Sequence, residues 1–563
     1  MQKSIFLALG AALVLTSCNK LKELTADNFK VTPTPLVVNG GEVPATITVT
    51  FPEKYMKKKA NITCTPVLKY AGGEAEGNSA TYQGEKVEGN GTEVSYKLGG
   101  TYTMKSNYRY TEDMLKSDLL MRFDAKVGKK AVKMPDVKID YGILATSQLL
   151  ARCLDSNHPA VAPDNYQRVI AQKQEANIKF LIAQSNLRTS ELQSVSMRDL
   201  VAVLKEINDN QEGRILDAIE VSAYASPDGK YSFNEKLAER RQATSADYLK
   251  KEMKKLRMDA DINTRYTAED WDGFQELIAA SNLQDKNVIL SVLSMYKDPE
   301  EREQQIRNMS EIYTDIKDGV MPELRRARLI VNYEVIGRSD KQIEEQYQKD
   351  ASQLSVEEMV YAATMLAETP EEQKQWNKKI MEIYPKDYRA YNNMAQISYT
   401  EGDYETAANY LKQAKNLQNG ASEVNTNLAL LALREGDIEK AETYLALGSG
   451  ADTYNEILGS LNLAKGNYTQ AAANLAKSNT NAQALAEILS ENYASASQTL
   501  SNIRKADATT AYLKAVLAAR TNNPSALVTN LRSAIEQDPS LAQRAQNDLE
   551  FQNYGGTVAS LLK

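Results

Sequence analysis

The residues with the clearest potential for ligand chemistry stand together at positions 222–241. An apolar run there ends in a tight Pro227-Asp228-Gly229 turn, and the helical pattern that follows carries Asn234 and Arg241 on its first turns. The stretch predicts a strand, a turn and a helix that place a carboxylate and a guanidinium near one turn. Ionised groups of this kind can form charge-assisted hydrogen bonds with a ligand.

The composition of the chain speaks against catalysis. Among 563 residues there are one histidine and three cysteines, which nearly excludes multi-ligand zinc sites and histidine-based triads. The sequence has no P-loop and no Gly-x-Ser-x-Gly, HExxH or CxxC motif. We therefore expect no enzyme activity, no cofactor and no bound metal. The net charge of −7 also speaks against a nucleic-acid partner.

The stretch at 222–241 resembles the core of OmpA-like domains, which dock Gram-negative outer membranes onto peptidoglycan. In that family an Asp at the end of the second strand and an Arg on the next helix bind the diaminopimelate of the peptide stem. The resemblance gives four candidate peptidoglycan-binding residues: Ser226, Asp228, Asn234 and Arg241. Asn234 and Arg241 match the helix positions, whereas Ser226 stands where the family has its Asp, and Asp228 follows two residues later.

Because Ser226 replaces the family's Asp, the resemblance does not decide whether peptidoglycan is the ligand. Loss of a paired carboxylate costs about 2–5 kcal/mol when the ammonium is desolvated. Asp228 could replace it, although Pro227 stiffens the turn. In the alternative interpretation Asp228 only builds the turn, and Arg241 pairs with a neighbour such as Glu239 or Asp217.

The N-terminus has the features of a bacterial lipoprotein signal. A positively charged start and a short apolar run at 5–15 precede Leu15-Thr16-Ser17-Cys18. This segment resembles a lipobox, which implies removal of residues 1–17 and acylation of Cys18, palmitate included. No acidic cluster follows, so we expect a lipid anchor in the outer membrane that faces the periplasm, with a tether over 18–30. An ordinary secretory signal with a chance cysteine is the alternative.

Residues 31–145 predict one or two antiparallel β-sandwich modules. Apolar residues alternate with threonines at 45–51, and the alternation returns at 119–127 and at 137–141. Glycine pairs at 40–41, 72–73 and 99–100 mark turns. Cys64 and Cys153 fall in different elements, so two buried free thiols are favoured over a disulfide.

Residues 146–175 predict a polar, partly helical connector, in which His158 beside Pro159 should be solvated. Residues 176–337 predict the OmpA-like α/β sandwich. Its expected elements are strands near 178–182, 215–223, 262–266 and 325–331, helices at 196–208 and 232–254, and a helical insertion at 267–320 that departs from the family. Ser196 is the predicted N-cap of the first helix. Residues 338–355 predict a linker or a leading helix.

Residues 356–563 predict an all-helical solenoid. Glu401-Gly402-Asp403-Tyr404 recurs as Glu435-Gly436-Asp437-Ile438, a spacing of 34 residues, and weaker copies follow at 466–475, 481–505 and 508–538. The pattern resembles tetratricopeptide repeats (TPR), whose helix pairs stack because one pair cannot bury its apolar face alone. Ala395 and Ala407 are small enough to let the two helices of a pair cross closely.

The repeat resemblance implies a concave groove that binds extended or helical peptides. The consensus spacing places five candidates for this partner groove on the inner helices: Asn392, Gln396, Tyr399, Thr426 and Arg434. The alternative is that these residues belong to solvated helix faces.

These patterns predict a multidomain α+β protein with an N-terminal β-sandwich, an OmpA-like α/β sandwich and a C-terminal all-α TPR-like solenoid. The expected function is a non-catalytic lipoprotein scaffold that links the outer membrane to the cell wall, to a protein complex, or to both. The alternative is an accessory or assembly subunit of a secretion or surface-appendage machine, in which the OmpA-like domain binds protein rather than peptidoglycan.

Overall fold

The computed structural model describes residues 21–283, 285–308 and 310–561. The chain divides into two compact units, one formed by residues up to Asp164 together with those from Ala363 onward, the other by Asn165–Ala362. The predicted signal segment and the predicted lipidation site, Cys18, lie outside the described residues.

The N-terminal part of the first unit is built from short strands. These are β1 (Phe29–Thr32), β2 (Leu36–Val37), β3 (Glu42–Phe51), β4 (Ala60–Tyr70), β5 (Gly73–Glu76), β6 (Ala80–Gly84), β7 (Thr92–Val94), β8 (Gly100–Arg109), β9 (Ser117–Val127), β10 (Lys130–Val132), β11 (Val137–Tyr141) and β12 (Ile143–Leu144). One sheet has the order β1-β3-β8 and a larger one the order β10-β9-β4-β6-β7, with β11 on β9 and β5 on β4. A short parallel pair joins β12 to β2.

The predicted alternation is confirmed in the two long central strands. Along β3 the residues Ala45, Ile47, Val49 and Phe51 are buried, and the threonines between them are not. They form one hydrophobic core with residues of β4 and β9 such as Met121. Burial of one face of each sheet against the other supplies the main driving force for this part of the fold.

The alternation predicted for 137–141 is wrong at its end. The pairing of β11 with β9 shifts register between Lys138 and Asp140. Such a bulge turns the following side chains to the opposite face. As a result Asp140 is buried and Tyr141 is exposed.

After β12 the chain runs through the short helix α1 (Leu150–Cys153), flanked by 3-10 turns at Thr146–Leu149 and Leu154–Ser156, and continues in extended form to Asp164. We call residues 146–164 the connector. Cys64 and Cys153 are both fully buried free thiols, as favoured from the sequence. Burial raises the pKa of the Cys64 thiol to about 12.

The second unit is a mixed sheet covered by helices. Its strands are β13 (Val169–Lys179), β14 (Arg214–Tyr224), β15 (Ile262–Thr267) and β16 (Arg326–Ile336), in the order β13-β16-β14-β15. β14 and β15 run parallel, whereas β16 runs antiparallel to both β13 and β14. The first strand begins inside the segment predicted as connector, because β13 pairs with β16 along its whole length.

The helices of the second unit contribute to two larger hydrophobic cores among the described residues. They are α2 (Thr189–Leu192), α3 (Val195–Asp209), α4 (Tyr231–Lys255), α5 (Trp271–Ala280), α6 (Lys286–Met295), α7 (Pro299–Asn308), α8 (Ser310–Asp315), α9 (Met321–Leu324), α10 (Asp340–Asp350) and α11 (Val356–Tyr361). Leu200 of α3 and Leu249 of α4 pack against the sheet. Phe274 and Leu324 belong to a separate core of the helical insertion.

The predicted N-cap of α3 is wrong by two residues. Ser194 accepts the hydrogen bond from the Met197 amide and has an extended backbone, whereas Ser196 already lies inside the first turn. An N-cap must be non-helical, and Ser196 is not.

The C-terminal part of the first unit is all helical. Its helices are α12 (Pro370–Ile383), α13 (Tyr388–Thr400), α14 (Tyr404–Leu417), α15 (Ser422–Arg434), α16 (Ile438–Leu445), α17 (Tyr454–Ala464), α18 (Tyr468–Asn474), α19 (Asn481–Leu489), α20 (Tyr493–Asn502), α21 (Ala508–Arg520), α22 (Pro524–Gln537), α23 (Leu541–Asn547) and α24 (Gly555–Leu561). Consecutive helices from α13 to α22 form five helix pairs that share one hydrophobic core. Ala395 and Ala407 are buried in it, at 1% and 0% exposure.

Each helix pair contains the same tight turn. Gly402, Gly436 and Gly466 have φ of 83°, 76° and 80°, values that favour glycine because it lacks a Cβ. An Asp or Asn follows directly; Asp403, for example, caps the second helix by accepting from the Thr406 amide. The predicted repeats therefore correspond to recurring structural units.

Candidate functional site

The first candidate site lies where β14 ends and α4 begins. We call Ser226, Asp228, Asn234, Arg241 and Arg325 the turn cluster. Ser226, Asn234 and Arg241 are 4%, 3% and 1% exposed, so little of the cluster faces solvent. Asn234 donates to the carbonyls of Ser226 and Gly229, both at 3.1 Å, and thereby holds the turn against the helix.

Asp228 is neutralised within the chain. Its Oδ2 lies 2.9 Å from an Nη of Arg325, and its Oδ1 accepts from Ser226 Oγ at 2.6 Å. Arg325 Nε donates to the same Ser226 hydroxyl at 3.2 Å. Ser226 thus links the carboxylate to the guanidinium, and a ligand ammonium would have to displace Arg325 to reach Asp228.

Arg241 is bonded to backbone carbonyls rather than to a carboxylate. It donates to Gln184 and Tyr224 at 2.9 Å and to Leu181 at 3.2 Å. The predicted alternative, an ion pair with Glu239 or Asp217, is wrong, because the side chain turns inward and ties the end of β14 to the loop after β13. Burial, followed by repulsion from Arg325, lowers the pKa of Arg241 to about 10.

The second candidate site is the concave groove of the solenoid, and the connector lies in it. The connector runs from the last repeats to the first: its contacts pair Thr146 with Glu550, Arg152 with Asp538, Ser156 with Asn481, Asn157 with Ser460, His158 with Glu456, Ala160 with Asn427, Ala162 with Asn393 and Asp164 with Arg389. The groove therefore already holds a peptide segment of its own chain.

At Ala160 and Ala162 the groove recognises the peptide backbone. Asn427 Oδ1 accepts from the Ala160 amide at 2.7 Å, and Asn427 Nδ2 donates to the Ala160 carbonyl at 2.8 Å. Asn392 Nδ2 donates to that carbonyl as well, at 3.0 Å, and Asn393 Oδ1 accepts from the Ala162 amide at 2.8 Å. Three asparagines of two neighbouring inner helices, α13 and α15, thus satisfy the extended backbone.

His158 makes a side-chain contact with the groove. The expectation that it is solvated is wrong in part: its side chain is 62% exposed, but its Nδ1 lies 3.1 Å from Glu456 Oε2. The hydrogen bond to Glu456 raises the pKa of His158 above its usual value. Glu456 also accepts from the His158 amide at 2.7 Å, so one carboxylate holds this residue twice.

The helical half of the connector is anchored by apolar side chains. Leu149, Cys153 and Leu154 are fully buried, and with Leu150 they belong to the core of the solenoid. Tyr399 Oη donates to the Leu154 carbonyl at 2.9 Å. Asp155 pairs with Arg434, which also stacks on Tyr404.

The five predicted groove residues divide by what they contact. Asn392, Tyr399 and Arg434 contact the connector. Thr426 instead donates to the Gly448 carbonyl within the solenoid, and Gln396 bonds to Thr400 on its own helix. The picture of solvated inner faces is wrong for Asn392, Tyr399 and Thr426, which are at most 4% exposed.

The groove residues Glu456 and Asn481 were missed from the sequence, although a signal was present. Together with the predicted candidates Asn392 and Thr426, they each stand ten residues before the positive-φ residue of their turn, at 402, 436, 466 and 491. The position is polar and buried in all four copies. A polar residue at a fixed inner position of successive repeats points to a shared ligand along the groove.

The described residues bring together no group of three or more His, Cys, Asp or Glu side chains that could hold a metal ion. Within the same part of the chain, no helix combines the length and the apolar character that crossing a bilayer requires.

Comparison with known proteins identifies the repeat. Residues 388–420, which cover α13 and α14, match the tetratricopeptide repeat family. No curated protein sequence matches the chain. The repeat match and the five stacked helix pairs indicate a protein-interaction scaffold.

Solved structures resemble the chain only weakly. PilF of Pseudomonas aeruginosa is 19% identical over 33% of this chain and 90% of its own, with a TM-score of 0.25. PilW, a widely conserved type IV pilus biogenesis factor, is 14% identical over 39% of this chain and 96% of its own, with a TM-score of 0.25. Yeast Tom70 is 11% identical over 66% and 84%, with a TM-score of 0.23. At these TM-scores the likenesses support no inference about function.

Proposed function

We propose that this protein is a non-catalytic scaffold of a Gram-negative cell envelope, attached to the outer membrane by a lipid on Cys18 and facing the periplasm. The observation that carries the proposal is the repeat solenoid, whose groove holds an extended segment by bonds to its backbone. A fold that already binds a peptide in this way is suited to joining other proteins.

The lipid anchor rests on the N-terminal sequence. A short apolar run at 5–15 ends at Leu15-Thr16-Ser17-Cys18, the order expected of a lipobox. Cells that express the wild type should incorporate labelled palmitate into the protein and carry it in the outer-membrane fraction. The variant Cys18→Ser should lose both the label and the membrane fraction. Equal labelling of the two proteins would refute the anchor.

For the second unit we favour docking of a protein over docking of the cell wall. The supporting observation is that Arg325 already neutralises Asp228 and that Arg241 is bonded to three carbonyls. The wall-binding alternative is favoured by the match of Asn234 and Arg241 to the OmpA-like pattern.

A pull-down on purified peptidoglycan separates the two. Protein docking predicts that the wild type stays in solution, and that Ser226→Asp, which returns a carboxylate to the family position, gains retention. The exposed Arg240 offers a matched control, Arg240→Ala, which should behave as wild type. Retention of the wild type, reduced by Asp228→Asn, would establish the wall-binding alternative instead.

The scaffold itself is tested in intact cells. Chemical crosslinking followed by mass spectrometry, and co-purification after mild detergent extraction, should recover the same envelope partner. Crosslinks that involve the solenoid should disappear in Cys18→Ser if the anchor places the protein at its site of assembly. Recovery of the protein alone by both methods would contradict the proposal.

A further inference from the structure

We propose that the extended half of the connector, residues 157–164, is a displaceable internal ligand, and that the groove it fills accepts an extended segment of a partner with small residues at two alternate positions. This inference rests on the proposed scaffold function, for which it names the chemistry of the partner. It also assigns the connector a role in controlling access to the groove.

The groove recognises an extended conformation through hydrogen bonds to the backbone of the bound segment. In the described part of the chain, the hydrogen bonds from Asn392, Asn393 and Asn427 to the connector all go to main-chain atoms of Ala160 and Ala162. Any extended chain presents amides and carbonyls with the same spacing, so these contacts are available to a segment of another protein.

Side-chain size supplies the selectivity. Ala160 and Ala162 are both 0% exposed, whereas Val161 between them is 38% exposed. A larger side chain at either alanine position would meet close-packed helices, since protein interiors leave few voids. Pro159 and Pro163 flank the pair and favour an extended backbone. The preferred partner is therefore an extended segment with small residues at positions i and i+2.

The two halves of the connector differ in how they are held. The helical half carries Leu149, Leu150 and Leu154 into the hydrophobic core. The extended half is held mainly by hydrogen bonds, which water can replace at modest net cost. Within the described chain, Asn393 Nδ2 and Asn157 Oδ1 are buried without a hydrogen-bond partner. A partner that offers an acceptor to Asn393 gains a bond that the connector does not supply.

The direct test uses the full-length protein and a dye-labelled peptide with the sequence of residues 157–164. Fluorescence anisotropy should detect weak binding to the wild type, because its own connector competes. Ala160→Glu, which puts a large charged side chain into the buried position, should bind at least about tenfold tighter, since more of the groove is open. The double variant Ala160→Glu/Asn427→Ala should lose this gain.

Selectivity is tested with a second peptide that has leucine in place of both alanines and should not bind. Equal affinity of the first peptide for the wild type and for Ala160→Glu would overturn the inference, because the connector would then not block the groove. So would the absence of binding to a folded Ala160→Glu protein.

Hydrogen exchange provides a readout on the wild type that does not depend on a variant. Saturating peptide should speed exchange of the Ala160 and Ala162 amides while the amides of Cys153 and Leu154 stay protected. If the Ala160 amide exchanges only with unfolding of the solenoid core, the extended half is a permanent part of the fold and the inference fails. The scaffold proposal would survive that outcome, with its partner surface elsewhere.

Discussion

The turn cluster and the connector groove both contain buried polar groups that the chain satisfies itself, but they do so in different ways. In the turn cluster a carboxylate is paired with a guanidinium, and Arg241 is bonded to three carbonyls. In the groove, neutral asparagine side chains bond to a peptide backbone. Breaking the contacts of the turn cluster leaves charges without partners in a poorly solvated place. Displacing the connector from the groove only exchanges one peptide backbone for another.

Because of this difference, the turn cluster contributes mainly to stability and the groove mainly to recognition. A buried ion pair resists rearrangement because removal of one member strands the other. Bonds to a backbone are repeated along every extended chain, so they are transferable between ligands. We therefore expect variants of the turn cluster to affect folding first and variants of the groove to affect binding first.

The largest effect is expected for Arg241→Ala. The change should lower the free energy of unfolding by roughly 3–5 kcal/mol, because three carbonyls lose their donor and a cavity replaces the side chain. Urea unfolding can be followed through Trp271, which lies in the same unit, in a Trp376→Phe background. Arg240→Ala, on the exposed side of the same helix, should change stability by less than about 0.5 kcal/mol.

The next largest loss of stability is expected when the ion pair between Asp228 and Arg325 is broken. Asp228→Asn should cost about 3 kcal/mol, because Arg325 stays buried without a counter-charge. The double variant Asp228→Asn/Arg325→Met should cost clearly less than the sum of the two single changes. Additive costs in this double-mutant cycle, again measured by urea unfolding, would mean that the pair is not coupled.

A smaller effect is expected in the groove. Asn427→Ala removes both of its bonds to Ala160 and should raise the exchange rate of the Ala160 amide, with a loss of about 1–3 kcal/mol of local protection. The amides of the solenoid core should remain protected. Asn416→Ala, on the exposed face of α14, is the matched control. Loss of protection throughout the solenoid would show that the extended half of the connector is part of its core.

The smallest effect is a dependence on pH. Because the contact with Glu456 raises the pKa of His158 in the folded protein, its stabilisation is full below the unfolded pKa and is lost as pH rises through the folded pKa. Asp452 adds to the negative charge that faces the imidazole. The contribution should be below about 1 kcal/mol because the imidazole is largely exposed. Proteolysis of the connector should be faster at pH 8 than at pH 6, and His158→Gln should remove the difference.

Local patterns in the sequence predicted the alternation in β3 and β9, the order of strands and helices in the second unit and the repeated helix pairs, because each depends on residues close together in the chain. The register of β11 and the start of β13 were not predicted, since both are set by pairing with another strand. The placement of the connector could not be predicted in this way. Ala160 meets Asn427 across 267 residues, and neither residue type identifies the other. The partners of Arg241 could not be predicted either. They are backbone carbonyls, and a carbonyl is present at every position of the sequence.

The course of the connector has a mechanical consequence. The segment crosses the solenoid from the last helix pairs to the first, so its bonds are spread over successive repeats. If one end is tethered at a membrane, tension along the connector acts in shear on many bonds at once instead of peeling one repeat from the next. The same segment that fills the groove can thus distribute load across the whole array.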